Sequence, residues 1–171
     1  PKVIAAMEAQ GATVLSHGRD FDDAREHAAR LGRDEGYRYV HSGDEPLLIA
    51  GVGTHTLEII EDLPDVDVII VPIGGGSGAA GACIVAKTIS PRTEVIGAQA
   101  AAAPSAYKSW KEHALIEDRM GTAAEGLATR TPFELPQRIL WDLLDDFVLV
   151  EEQDIFDATC TMIEATRNLV E

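Results

Sequence analysis

Residues 67–81 constrain this chain more than any other stretch. Asp67 leads into Val68-Ile69-Ile70-Val71-Pro72-Ile73, and Gly74-Gly75-Gly76-Ser77-Gly78-Ala79-Ala80-Gly81 follows. A near-continuous apolar run of that length reads as a strand over 67–73 buried on both faces, as in a parallel sheet. The small apolar residues after the glycines read as a helix over 79–89, and a strand over 93–98 comes next. Strand, helix, strand in that order is a βαβ unit with a right-handed crossover. Consecutive glycines let backbone N–H groups converge with no Cβ in the way, and a helix N-terminus adds partial positive charge. Gly74, Gly75, Gly76, Ser77 and Gly78 are therefore a candidate cradle for a phosphate or another anion.

Three other readings of the loop stand beside this one. A tight strand-to-helix turn needs no ligand, although three glycines in a row exceed what such a turn requires. Gly76-Ser77-Gly78-Ala79-Ala80-Gly81 also spells a dinucleotide fingerprint. That reading wants an acid at the end of the next strand, where this chain has Gln99 and then alanines. A hydrolase nucleophile elbow centred on Ser77 would need an acid and then a histidine downstream. His113, soon after the loop on a polar segment, is the sole histidine there.

The rest of the chain supports an α/β fold. Before the loop, Val3, Ile4 and Met7 have helical spacing, Pro1 suits a first helical turn, and Gly11 stops the run. Short strands are expected at 12–16 and 37–41. Between them lies a helix over 22–34 that Asp20 would cap. Ser42-Gly43-Asp44 breaks the pattern and marks an expected domain boundary, dividing residues 1–44 from 45–171. A helix is expected over 47–63, with Gly51 and Gly53 as weak points, and further helices over 104–113, 132–144 and 152–169. A last strand is expected at 146–150.

Charge and cysteine usage narrow the partners. With 14 basic and 29 acidic residues the formal net charge is −15, which excludes nucleic acid and anionic membranes as natural partners. No apolar run reaches the ~20 residues of a membrane span. Cys83 and Cys160 lie in apolar stretches without metal-type spacing. They read as buried thiols of a reducing, cytoplasmic compartment. The five histidines are dispersed, so no metal site is expected.

Val71-Pro72-Ile73-Gly74-Gly75-Gly76-Ser77-Gly78 resembles the glycine loop of fold-type II pyridoxal-5′-phosphate enzymes, above all the threonine and serine dehydratases. The likeness covers nearly the whole chain. Pro1-Lys2-Val3 through Gly11-Ala12-Thr13-Val14, Ile49-Ala50-Gly51-Val52-Gly53-Thr54, Glu94-Val95-Ile96-Gly97, Tyr107-Lys108-Ser109-Trp110 and Ala123-Ala124-Glu125-Gly126-Leu127-Ala128 fall in family order.

The resemblance implies a three-layer α/β sandwich with a mostly parallel sheet, similar to the tryptophan synthase β subunit and only partly represented here. Residues 1–44 would end its small domain and 45–171 form the middle of its large one. It implies pyridoxal 5′-phosphate held by Gly74, Gly75, Gly76, Ser77 and Gly78, with Glu125 and Gly126 near the cofactor ring. The implied reaction takes a β-hydroxy amino acid such as threonine or serine to a 2-oxo acid and ammonia. The alternatives are a β-replacement or racemase relative, and a non-catalytic small-anion module.

Departures from the family pattern qualify this picture. The family's cofactor-bearing lysine sits in an S-x-K-x-R-type motif upstream of this segment, and Lys2, Lys87, Lys108 and Lys111 lack that context. No catalytic residue is therefore expected within these 171 residues. The remainder of the enzyme, a companion chain or a homo-oligomer would complete the molecule. Ser77 stands where a fourth loop glycine is usual, at a cost of roughly 1–2 kcal/mol if that position takes a positive φ. Gln99 and Ser105 align with acidic cation ligands of serine racemase-like members, and neither is a carboxylate.

Overall fold

The computed structural model describes residues 2–170, so the expected helix-start role of Pro1 lies outside the described residues. Two compact units form, Pro1–Tyr39 and Val40–Glu171.

The first unit contains α1 (Lys2–Ala9) and α2 (Phe21–Glu35). Asp20 caps α2 as its sequence position suggests: its Oδ1 accepts a hydrogen bond from Asp23 N at 3.0 Å. Gly36, with φ of 74°, ends the helix. The expected strands at 12–16 and 37–41 do not form; both segments are irregular. Their residues have strand character, but a strand exists only through ladder hydrogen bonds, and among the described residues neither segment has a ladder partner.

The second unit is built around three parallel strands, β1 (Val68–Pro72), β2 (Glu94–Ala100) and β3 (Asp146–Val150), in the order β1-β2-β3. Val68 pairs with Glu94 and Ile96 with Asp146, which sets the register. Helix α4 (Ser77–Ile89) crosses from β1 to β2. Ala79, Ala82, Cys83 and Ala86 of α4 meet Ile69, Val71 and Val95 in the core. Helix α3 (Pro46–Asp62) packs along α4, with Ile49, Gly53, Thr56 and Ile60 buried.

Helices α5 (Ser105–Glu112) and α6 (Glu134–Leu143) complete that side. They clasp each other through their indoles: Trp110 Nε1 donates to Leu140 O at 3.1 Å and Trp141 Nε1 to Ser109 O at 2.9 Å. Helix α7 (Glu152–Thr166) follows β3 and has no buried residue. It stops short of the expected 169, where Arg167 turns left-handed with φ of 61°.

Two expectations about burial change. The apolar strand is buried on one face only, since Val68 is 42% and Ile70 68% exposed while Ile69 and Val71 are in the core. Its second apolar face is real, but none of the described helices packs over those two side chains. Cys83 is buried as expected; Cys160, on exposed α7, is not. Burial pushes the Cys83 thiol up to about 12, reinforced by Asp145 and opposed by Lys87.

Candidate functional site

The glycine loop occupies residues 74–76, between the C-terminal end of β1 and the first turn of α4. Gly76 is the N-cap of α4 with φ of 95°, and the first helical hydrogen bond runs from Ala80 N to Gly76 O at 2.9 Å. The positive φ thus falls on Gly76, where no side chain resists it. Ser77 has an ordinary negative φ, so the strain foreseen for a serine at that position does not arise.

Among the described residues, the backbone N–H groups of residues 74–79 meet no protein acceptor, and neither does the Ser77 hydroxyl. An N-cap glycine leaves the first turn uncapped by any side chain, and no acidic residue sits in that turn. The result is a run of six adjacent donors at the positive end of a helix, with no anion of the protein's own to satisfy them.

The loop is held from behind by close backbone packing. A Cβ on Gly74 would lie 2.9 Å from Gly126 O and from Leu127 Cα. One on Gly75 would lie 2.0 Å from the Phe133 ring. At Gly76 it would lie 3.3 Å from Leu140 and Pro136, whereas Gly78 faces open space. Gly74 and Gly75 are therefore needed for approach, Gly76 for its positive φ, and Gly78 leaves the mouth clear.

The packing brings together Gly74, Gly75, Gly76, Ser77, Gly78 and Gly126. Glu125 opens the short 3₁₀ turn Glu125–Leu127 and is exposed beside Gly126. Phe133, Pro136 and Leu140, which back the loop, carry no chemical signature in the sequence. The sole hint is an apolar face at the start of an expected helix. A cavity of about 210 Å³ lies at the C-terminal ends of the strands, lined by Pro72, Gln99, Ala124, Leu127, Val150 and Ile155 among others. Strand C-termini are where open parallel sheets receive ligands.

The remaining candidates are occupied elsewhere. Lys87 Nζ bonds Asp145 and Thr93 O, Lys108 pairs with Asp118, and Lys111 lies over the Trp110 and Tyr107 rings. Gln99 Oε1 accepts from Tyr107 N at 2.9 Å and Ser105 Oγ donates to Thr129 O at 3.2 Å, both in the core. Among the described residues no three of His, Cys, Asp or Glu gather as a metal site.

Residues 1–171 match, end to end, the family described as pyridoxal-phosphate dependent enzyme. The chain belongs to that family. It is 39% identical over 172 residues to an L-threonine ammonia-lyase of Geobacter sulfurreducens, covering 100% of this chain and 43% of the relative. It also superposes on the processed form of threonine deaminase isoform 2 from Solanum lycopersicum with a TM-score of 0.92 and 32% identity, covering 100% of this chain and 50% of that one. Serine racemase from Dictyostelium discoideum gives a TM-score of 0.87 and 30% identity, covering 100% and 55%. The chain spans about half the length of the proteins it matches. The fold is the fold-type II α/β architecture that the sequence led one to expect.

Proposed function

We propose that residues 74–78 bind the phosphate of pyridoxal 5′-phosphate, and that the protein is an ammonia-lyase for a β-hydroxy amino acid of the threonine or serine type. The observation that carries this reading is the run of unpartnered N–H groups at the N-terminus of α4. Phosphate calls for several backbone donors with no carboxylate among them, and the first turn of α4 offers such donors and holds no acidic residue. The likeness to an L-threonine ammonia-lyase supports the choice of reaction.

In this reading Gly74, Gly75, Gly76, Ser77 and Gly78 grip the phosphate dianion, the Ser77 hydroxyl adding a donor. Glu125 and Gly126 border the ring. The cofactor supplies an electron sink that stabilises negative charge at the substrate Cα. The chain's own part is to anchor and orient, and the helix dipole offsets the phosphate charge. Residues 1–44 belong to the small domain and 45–171 to the large one. The lysine that holds the cofactor comes from the other part of the enzyme or from a companion chain, and either of these or a second copy covers the exposed face of β1.

Titrating the native-length protein with pyridoxal 5′-phosphate and with pyridoxal tests the site. The phosphate ester should bind at least ~100-fold more tightly, as expected when several charge-assisted hydrogen bonds are at stake. Gly74→Ala, whose methyl would meet Gly126 O at 2.9 Å, should erase most of that difference. L-threonine or L-serine should yield a 2-oxo acid and ammonia. Equal affinity for the two vitamers would overturn the site, and absence of 2-oxo acid would overturn the reaction.

A further inference from the structure

Part of the loop's back wall is a side chain lodged between two glycines. A Cβ on Gly43 would lie 2.1 Å from Phe133 Cδ2, and a Cβ on Gly75 2.0 Å from Phe133 Cε2. One edge of the ring therefore touches both backbones at once. Phe133 N also donates to Gly75 O at 3.4 Å, so ring and backbone hold the same loop residue.

The turn on the far side of the ring is itself braced. His41 Nδ1 accepts from Gly43 N at 2.9 Å and from Asp44 N at 2.8 Å, and the imidazole meets the Phe133 ring edge-on at 4.7 Å between centroids. Asp44 Oδ1 accepts from Leu135 N at 2.9 Å, capping the first turn of α6 from 91 residues away in sequence. That helix has no cap of its own, because its N-cap residue is Phe133.

We infer that Phe133, seated on the turn formed by His41, Gly43 and Asp44, is a positioning residue that sets the glycine loop in its anion-gripping conformation. The inference rests on the phosphate reading of the loop. Closely packed glycines let the turn and the loop share one wall, so a change at residue 43 is transmitted across the ring to residue 75. The N–H groups of residues 74–79 grip an anion only while they converge, and a displacement of ~1 Å at Gly75 would spoil the convergence.

The test uses the native-length protein and reads dissociation constants for pyridoxal 5′-phosphate and pyridoxal side by side. Gly43→Ala should weaken the phosphate ester about tenfold and pyridoxal less than about twofold, because only the phosphate uses the loop. Phe133→Val has no atom beyond Cγ to transmit the clash. Added to Gly43→Ala, it should leave binding no weaker than Phe133→Val alone.

Should Gly43→Ala fail to fold, the Asp44 pair carries the same test. Asp44→Ala should weaken the phosphate ester selectively, and Asp44→Asn, which keeps the acceptor for Leu135 N, should restore it. Additive losses in the double variant, equal losses for the two vitamers, or matching behaviour of Asp44→Ala and Asp44→Asn would each overturn the inference. A parent protein that does not distinguish the vitamers would instead overturn the phosphate reading beneath it.

Discussion

Replacing Gly81 with alanine places a methyl group where α3 and α4 touch backbone to backbone. The added Cβ would sit 2.9 Å from both Ile49 O and Gly53 N, and 3.1 Å from Gly53 Cα. Backbone atoms cannot rotate aside, so α3 must retreat by a few tenths of an ångström along a tightly packed seam. Overpacking of this kind costs about 1–3 kcal/mol, and contact with unyielding atoms argues for the upper part of that range. Alanine's better helix propensity returns about 1 kcal/mol, leaving a net loss of roughly 1–2 kcal/mol.

Gly51, two residues before Gly53 on the same helix, is the control. A Cβ there meets nothing within 4 Å, so Gly51→Ala keeps the propensity gain of ~0.5–1 kcal/mol. Thermal melts of the two native-length variants should then differ by roughly 3–12 °C, taking ~2–4 °C per kcal/mol for a domain of this size. A Gly81→Ala variant that melts at or above Gly51→Ala would show that α3 and α4 do not meet backbone to backbone at this seam.

Two further outcomes follow from the same geometry. At pH 8 a thiol reagent should modify Cys160 and spare Cys83, whose thiol is buried and pushed up to about 12; equal labelling rates would contradict the core packing. The Asp118 carboxyl is held below its ordinary value, chiefly by the hydrogen bond from Lys108 and then by the Arg119 backbone N–H. Its stabilising contribution is therefore present at neutral pH and lost as pH falls through the depressed native value. Melting curves of the parent and Asp118→Asn should differ near pH 7 and converge in acid.

The second unit was legible in the sequence because its patterns leave little choice. An apolar run ending in three glycines has to leave the sheet there, and β3 at residues 146–150 stands out between a polar helix end and an acidic helix start. Strand pairing was not legible: residues 12–16 and 37–41 have the composition of strands without a ladder partner in this segment. At the site, the glycines announced the strand-to-helix loop, but two points depend on three-dimensional geometry. Gly76 rather than residue 77 takes the left-handed conformation, which frees Ser77 of strain. Gly43 looked like part of a linker, yet it faces Phe133, 90 positions further on, and no local pattern encodes that meeting.

Helix α4 is also an insulated element. Ala79, Ala80, Ala82, Cys83 and Ala86 are fully buried, so the stretch from residue 79 to 83 is shut off from water and mobile ions, while Ile84, Thr88 and Ile89 further along meet solvent. The permittivity around the helix is low, and field lines from its peptide dipoles emerge mainly at the uncapped end. An anion seated there feels a potential that dissolved salt screens only from the open side, near Gly78. Raising the ionic strength should therefore weaken its attraction far less than it would at a patch of surface lysines.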